Sequence, residues 1–118
     1  MRQLNKSILL AVFTLLFAAG GFAADNQVAD GVWIDVRSVR EYNEGHVEGH
    51  ANIPHGDIGH KISELVPDLH TTVHLYCATG IRSGMALEIL MEMGYQDVIN
   101  EGGYEQVAAK LAGSSDAL

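Results

Sequence analysis

One cysteine, Cys77, stands among 118 residues, so no disulfide can close within this chain, and no metal site can draw on a second thiolate. Basic residues are also scarce, with 7 Lys and Arg against 15 Asp and Glu, for a net charge of −8. That deficit argues against nucleic acid or an anionic membrane surface as partner. There are only 2 prolines, and the chain has no internal repeat, low-complexity tract or linker that would mark a second domain. Long apolar runs are missing too, apart from one near the start.

That run reads as an export signal. Met1 to Lys6 is short and basic, Ile8 to Ala19 is apolar except for Thr14, and small residues follow in Gly20-Gly21-Phe22-Ala23-Ala24. The apolar stretch is short of the roughly 20 residues that a membrane-spanning helix needs. We therefore expect a signal peptide over residues 1–23, cleaved after Ala23 or Ala24, and a mature domain over 24–118 in the periplasm. Cleavage takes Arg2 and Lys6 and no acidic residue, moving the net charge to about −10. No stable membrane association is expected after cleavage, and the mature chain is expected to be a monomer. In an oxidising compartment a single cysteine is a filler, half of an intermolecular bridge, or a thiol kept for chemistry.

Strand and helix patterns alternate along the mature chain. Val32 to Val36 reads as a buried strand, and Ser38 caps a brief helix to Glu44 that Gly45 ends. Ala51 to Pro54 is a short strand, and Asp57 to Val66 is helical with Ile58, Ile62, Leu65 and Val66 on one stripe. Val73 to Tyr76 is the next strand. From Ser83 a helix presents Ala86, Leu87, Ile89, Leu90 and Met93 to a core, and Gly94 closes it. Asp97 to Asn100 is a last strand, Gly102-Gly103 a turn, Tyr104 to Leu111 a final helix, and 113–118 a frayed end. The alternation predicts an α/β fold, a central parallel sheet with helices on both faces. Ligands of such sheets sit beyond the carboxyl ends of the strands, where Cys77 falls.

Cys77-Ala78-Thr79-Gly80-Ile81-Arg82-Ser83 links a strand to a helix N-terminus, whose first N–H groups lack helical partners. Bent into an arc, those groups form an anion-binding concavity around the sulfur and favour thiolate. Gly80 suits the point where the arc needs positive φ, and Ala78 and Thr79 are small enough to leave its mouth open. Arg82 adds a planar cation for an anionic substrate, at a helix end where an idle cation is unfavourable.

Cys-x-x-Gly-x-Arg-Ser after an apolar strand resembles the active-site loop of the rhodaneses, the thiosulfate sulfurtransferases. "WIDVRSVREYNEGHVEGHANIP", Trp33 to Pro54, is similar to that family's amino-terminal signature, and "NEGGY", Asn100 to Tyr104, to its Gly-Gly turn. His50 stands where the family usually has alanine, and Val107 where an aromatic often follows the turn. The resemblance implies a single rhodanese-like domain of the short exported type, without cofactor or metal. It makes Cys77 the nucleophile, with the loop residues Ala78, Thr79, Gly80, Ile81, Arg82 and Ser83 binding substrate. The substrates implied are thiosulfate and a thiophilic acceptor such as cyanide or a thiol. Phosphatases of the same fold carry Cys-x5-Arg, one residue longer than the spacing from Cys77 to Arg82, and the smaller arc suits one sulfur atom better than a phosphoryl group. The alternative function is a sulfur carrier or docking module that serves one protein partner without turnover.

Other residues have structural readings. Asp35, Arg37 and Glu41 fall in the signature, with Arg37 and Glu41 spaced to pair on the short helix and Arg37 a secondary candidate for facing substrate. His46, His50, His55 and His60 lie within fifteen residues, but strand, turn and proline separate them, so they are not expected to bind a metal.

Overall fold

β-Branched and aromatic residues concentrate in the segments that become strands. The computed structural model describes residues 31–116, with side chains to residue 113; the expected signal segment and the first residues of the mature domain lie outside the described residues. Four strands, β1 (Val32–Asp35), β2 (Ala51–Asn52), β3 (Thr72–Cys77) and β4 (Asp97–Gly103), form one parallel sheet in the order β2-β1-β3-β4. The central register sets Ile34 opposite both Ala51 and Leu75. Between the strands run α1 (Val39–Glu44), α2 (Ile58–Leu65) and α3 (Ile81–Glu92), and α4 (Tyr104–Asp116) closes the fold.

The chain steps one way across the sheet from β1 to β2 and the other way from β2 through β3 to β4. Right-handed crossovers therefore put α1 on one face and α2 and α3 on the opposite face. On the second of these faces, Ile34, Val36, Val73 and Leu75 pack with Ile58, Ile62, Ala86 and Leu90 into the core. Each of the Val, Leu and Ile side chains among them, fully buried, contributes about 1.5–3 kcal/mol of transfer free energy. Alternate strand residues face the other way, where the Trp33 ring stacks on His74 at 4.1 Å and on His50 at 5.2 Å between centroids. On that side α4 begins beside α1, with the Arg37 guanidinium 4.0 Å from the centroid of the Tyr104 ring.

Several boundaries differ from the sequence reading. Helix α3 starts at Ile81, and its buried residues are Ser83, Ala86 and Leu90; Ile89 and Met93, expected in the core, lie off that stripe and are exposed, as is Leu65. Helix α4 continues to Asp116 where fraying was expected, because one interior glycine, Gly113, costs only about 1 kcal/mol and does not end a helix. Gly102 and Gly103 are the last residues of β4, which passes straight into α4 without a separate turn.

That end of β4 positions the cysteine loop. Leu75 lies opposite Asn100 and Cys77 opposite Gly103, so two steps on β3 meet three on β4 and one residue bulges. The bulge brings the glycine pair against the loop. A Cβ on Gly103 would sit 2.6 Å from the Ala78 carbonyl oxygen, and one on Gly80 would sit 3.4 Å from the Gly102 Cα. Gly103→Ala should therefore destabilise the protein by about 1–3 kcal/mol, seen as a lower urea midpoint. Gly113→Ala, where an added Cβ meets nothing within 4 Å, should be neutral or slightly stabilising. Equal midpoints for the two variants would contradict the close approach of β4 to the loop.

Candidate active site

The residue before helix α3 is Gly80, whose φ of 98° only glycine adopts freely, and no side chain caps the helix in the usual way. The sulfur of Cys77 takes that place. Gly80 N–H donates to Sγ at 3.0 Å, and the Ser83 hydroxyl lies 3.5 Å from it. Backbone N–H groups of Ser83 and Thr79 are directed at the same atom. Cys77 and Ser83 are fully buried, while Ala78, Thr79 and Ile81 form the exposed outer part of the loop. Burial by itself pushes the thiol up; the Ser83 hydroxyl and the N–H groups of Ser83, Thr79 and Gly80 outweigh it and bring Cys77 down to about 7. Near neutral pH a large share of the sulfur is then thiolate, the nucleophilic form.

The loop singled out from sequence thus brings Thr79, Gly80, Ser83 and Arg82 to one sulfur, but Arg82 comes in company. Its two terminal nitrogens donate to both carboxylate oxygens of Glu41, at 2.7 and 3.0 Å. Glu41 also completes a capping box at the start of α1, accepting from Ser38 N–H at 3.0 Å while the Ser38 oxygen accepts from Glu41 N–H at 3.1 Å. One carboxylate therefore ties the start of α1 to the start of α3 and neutralises a cation placed at a helix N-terminus. Glu41 raises the Arg82 pKa, and the nearby Cys77 adds to that effect.

Arg37 lies elsewhere. It binds the buried Asp35 through Nε at 3.0 Å and a terminal nitrogen at 2.8 Å, donates to the Gly45 carbonyl at 2.7 Å, and stacks on Tyr104. The pairing expected between Arg37 and Glu41 is replaced by two others, Arg37 with Asp35 and Glu41 with Arg82, because α1 turns Glu41 toward the loop. The histidines do not converge. His46 Nδ1 donates to the Tyr42 carbonyl at 2.8 Å, and His50 Nδ1 meets the Tyr76 hydroxyl at 2.7 Å. Among the described residues no group of three or more His, Cys, Asp or Glu is placed to hold a metal ion.

Asn100 was not singled out from sequence as a site residue. Its Nδ2 donates to the Gly80 carbonyl at 3.0 Å, and its Oδ1 accepts from the Ser83 hydroxyl at 2.7 Å and from Gly102 N–H at 3.0 Å. The one signal that could have found it is its place immediately before the Glu-Gly-Gly run.

The Arg82 guanidinium, with Ser38 N–H next, holds the Glu41 carboxyl down at about 2. A lowered acid contributes stability that is complete above the ordinary glutamate range near 4.5 and is lost as pH falls toward 2. The wild-type urea midpoint should therefore drop more steeply than that of Glu41→Gln across this acidic window. Parallel curves would show that the pair is too exposed to matter.

A rhodanese-like domain family matches residues 21–110 of this chain. Thiosulfate sulfurtransferase PspE of Escherichia coli (strain K12) is 44% identical over 103 residues, covering 87% of this chain and 92% of that protein. Thiosulfate sulfurtransferase GlpE of Shewanella oneidensis is 31% identical over 72 residues, covering 60% of this chain and 69% of that protein. Among solved structures, a rhodanese with anions from E. coli superposes with a TM-score of 0.61 at 47% identity, covering 64% of this chain and 88% of that one.

Proposed function

The chain belongs to the rhodanese-like family, and on that premise we propose that it is a thiosulfate sulfurtransferase with Cys77 as its nucleophile. The observation that carries this reading is the set of N–H and O–H donors converging on one sulfur at the start of α3. Cys77 thiolate attacks the outer, sulfane sulfur of thiosulfate. The S–S bond of thiosulfate breaks, its electron pair leaves with sulfite, and Cys77 is left as an anionic persulfide. A thiophilic acceptor then takes the outer sulfur and regenerates the thiolate; with cyanide the product is thiocyanate. No proton or redox partner is needed, since total charge is conserved in each step.

The donors of Thr79, Gly80 and Ser83 stabilise negative charge on the sulfur in both thiolate and persulfide, and Arg82 adds positive potential beside it. Cys77 is buried, and its loop neighbours Ala78, Thr79 and Ile81 are exposed beside it. Residues 1–23 act as a cleaved signal, and the domain over 24–118 works in the periplasm as a monomer; the basic start and apolar run support the signal and the compartment. No helix among the described residues is long and apolar enough to cross a membrane.

The second reading, a sulfur carrier for a protein partner, draws on the exposed Ile81 and Met85, one turn apart beside the loop. Turnover separates the two. Incubation with thiosulfate should add one sulfur, about 32 Da, to the intact protein, and cyanide should then release thiocyanate over many cycles. Cys77→Ser should do neither. A stable adduct with no turnover favours the carrier, and wild-type turnover by Cys77→Ser would overturn both. Arg82→Ala should lower kcat/KM for thiosulfate by about tenfold or more, with Arg82→Lys recovering part, because an ammonium cannot reproduce the guanidinium fork. An unchanged kcat/KM would confine Arg82 to its pairing with Glu41.

A further inference from the structure

Ser83 has one hydroxyl proton and two acceptors within reach. The Asn100 Oδ1 lies 2.7 Å away and the Cys77 Sγ 3.5 Å away. The orientation of the Asn100 amide is set by its other contacts, because its oxygen faces the Gly102 N–H and its nitrogen faces the Gly80 carbonyl. Turning the amide over would set two donors against each other and two acceptors against each other. The contact between Ser83 and Asn100 therefore requires the hydroxyl to be the donor, and at 2.7 Å it is the shorter and stronger of the two options. With its proton committed there, the Ser83 oxygen presents a lone pair to the sulfur, an arrangement that suits a thiol S–H and opposes a thiolate.

We propose that Asn100 is a positioning residue that competes with the Cys77 sulfur for the Ser83 proton. While the sulfur is protonated, the Ser83 hydroxyl points to Asn100. When the sulfur becomes anionic, as thiolate or persulfide, the hydroxyl turns to it and Asn100 Oδ1 keeps only the Gly102 N–H. The same amide holds the Gly80 carbonyl, and so fixes the peptide next to the one whose N–H donates to the sulfur. The strength of the Asn100–Ser83 bond is thus subtracted from the stabilisation that Ser83 gives the anion. The glycine run after Asn100 serves this geometry, since Gly102 with φ of 94° turns its N–H back to the asparagine oxygen two residues earlier.

This inference rests on the sulfurtransferase reading for its use of the anion, but its test reads only the ionisation of Cys77. It can therefore fail while sulfur transfer stands. The rate of Cys77 alkylation by iodoacetamide is measured against pH in wild type, Asn100→Ala, Ser83→Ala and the double variant. Ser83→Ala should move the midpoint up by about half to one pH unit, because the bond gained by the anionic sulfur is offset in part by the Asn100 bond given up. Asn100→Ala, which releases the proton to the sulfur, should move it down by a similar or smaller amount. In the Ser83→Ala background the Asn100 substitution should no longer move the midpoint down, and only a small upward shift from losing the hold on the Gly80 carbonyl should remain. Asn100→Asp is a second variant that keeps the acceptor and adds charge, and it should move the midpoint up. The proposal is overturned if Ser83→Ala leaves the midpoint in place. It is equally overturned if Asn100→Ala raises the midpoint, or shifts it alike with and without Ser83, since a merely structural role for Asn100 predicts that pattern.

Discussion

A buried sulfur that must carry negative charge needs donors that are already in place, and Arg82, the cation beside it, is shared with Glu41. Arg82 is engaged by Glu41, so the charge on Cys77 is met mainly by backbone N–H groups at the start of α3 and by one hydroxyl. The backbone groups are fixed by the fold and need little reorganisation when the charge changes hands. They also lack helical partners by necessity, because the first turn of any helix leaves its N–H groups unpaired. The sulfur and the helix end thus satisfy each other, and the geometry of the rest of the loop follows from keeping them together.

Two separate braces keep that arrangement. On one side β4 delivers Asn100, Gly102 and Gly103 against the loop, and the bulge opposite Leu75 and Cys77 makes the approach close enough that a single added carbon would collide. On the other side Glu41 joins α1 to α3 through Arg82. Beneath them the Asp35–Arg37 pair ties the end of β1 to the end of α1 and the start of α4, with the Asp35 side chain fully buried. Removing one member of a buried pair is far more disruptive than the pair is stabilising, because the remaining charge is left without a partner. Binding geometry and stability are therefore carried by overlapping sets of residues.

The order of the strands and helices was legible in the sequence because apolar periodicity and glycine placement are local. So was the cysteine loop, since a lone thiol, a positive-φ glycine and a helix start are adjacent in the chain. What was hidden depended on contacts across long separations. Nothing local shows that Glu41 reaches Arg82, forty-one residues away, or that Asn100 holds the loop carbonyl twenty residues before it. Helical spacing overstated the core face of α3, because a twelve-residue helix against a narrow sheet buries one thin stripe, through Ser83, Ala86 and Leu90, and leaves Ile89 and Met93 outside. His50, which departs from the family pattern, is accounted for only in three dimensions. It extends the Trp33 stack and meets the Tyr76 hydroxyl, and burial lowers its pKa so that the neutral ring fits there.

The donor arc makes Cys77 an anion near neutral pH, ready to take sulfur. Rapid mixing of the protein with excess thiosulfate and no acceptor, following sulfite release across a pH series, tests it most directly. A single burst of one sulfite per chain is expected, with a rate that rises through a midpoint at about 7, where the sulfur ionises. A midpoint near the ordinary thiol range, at about 8.5, would contradict it by showing that the arc does not stabilise the thiolate.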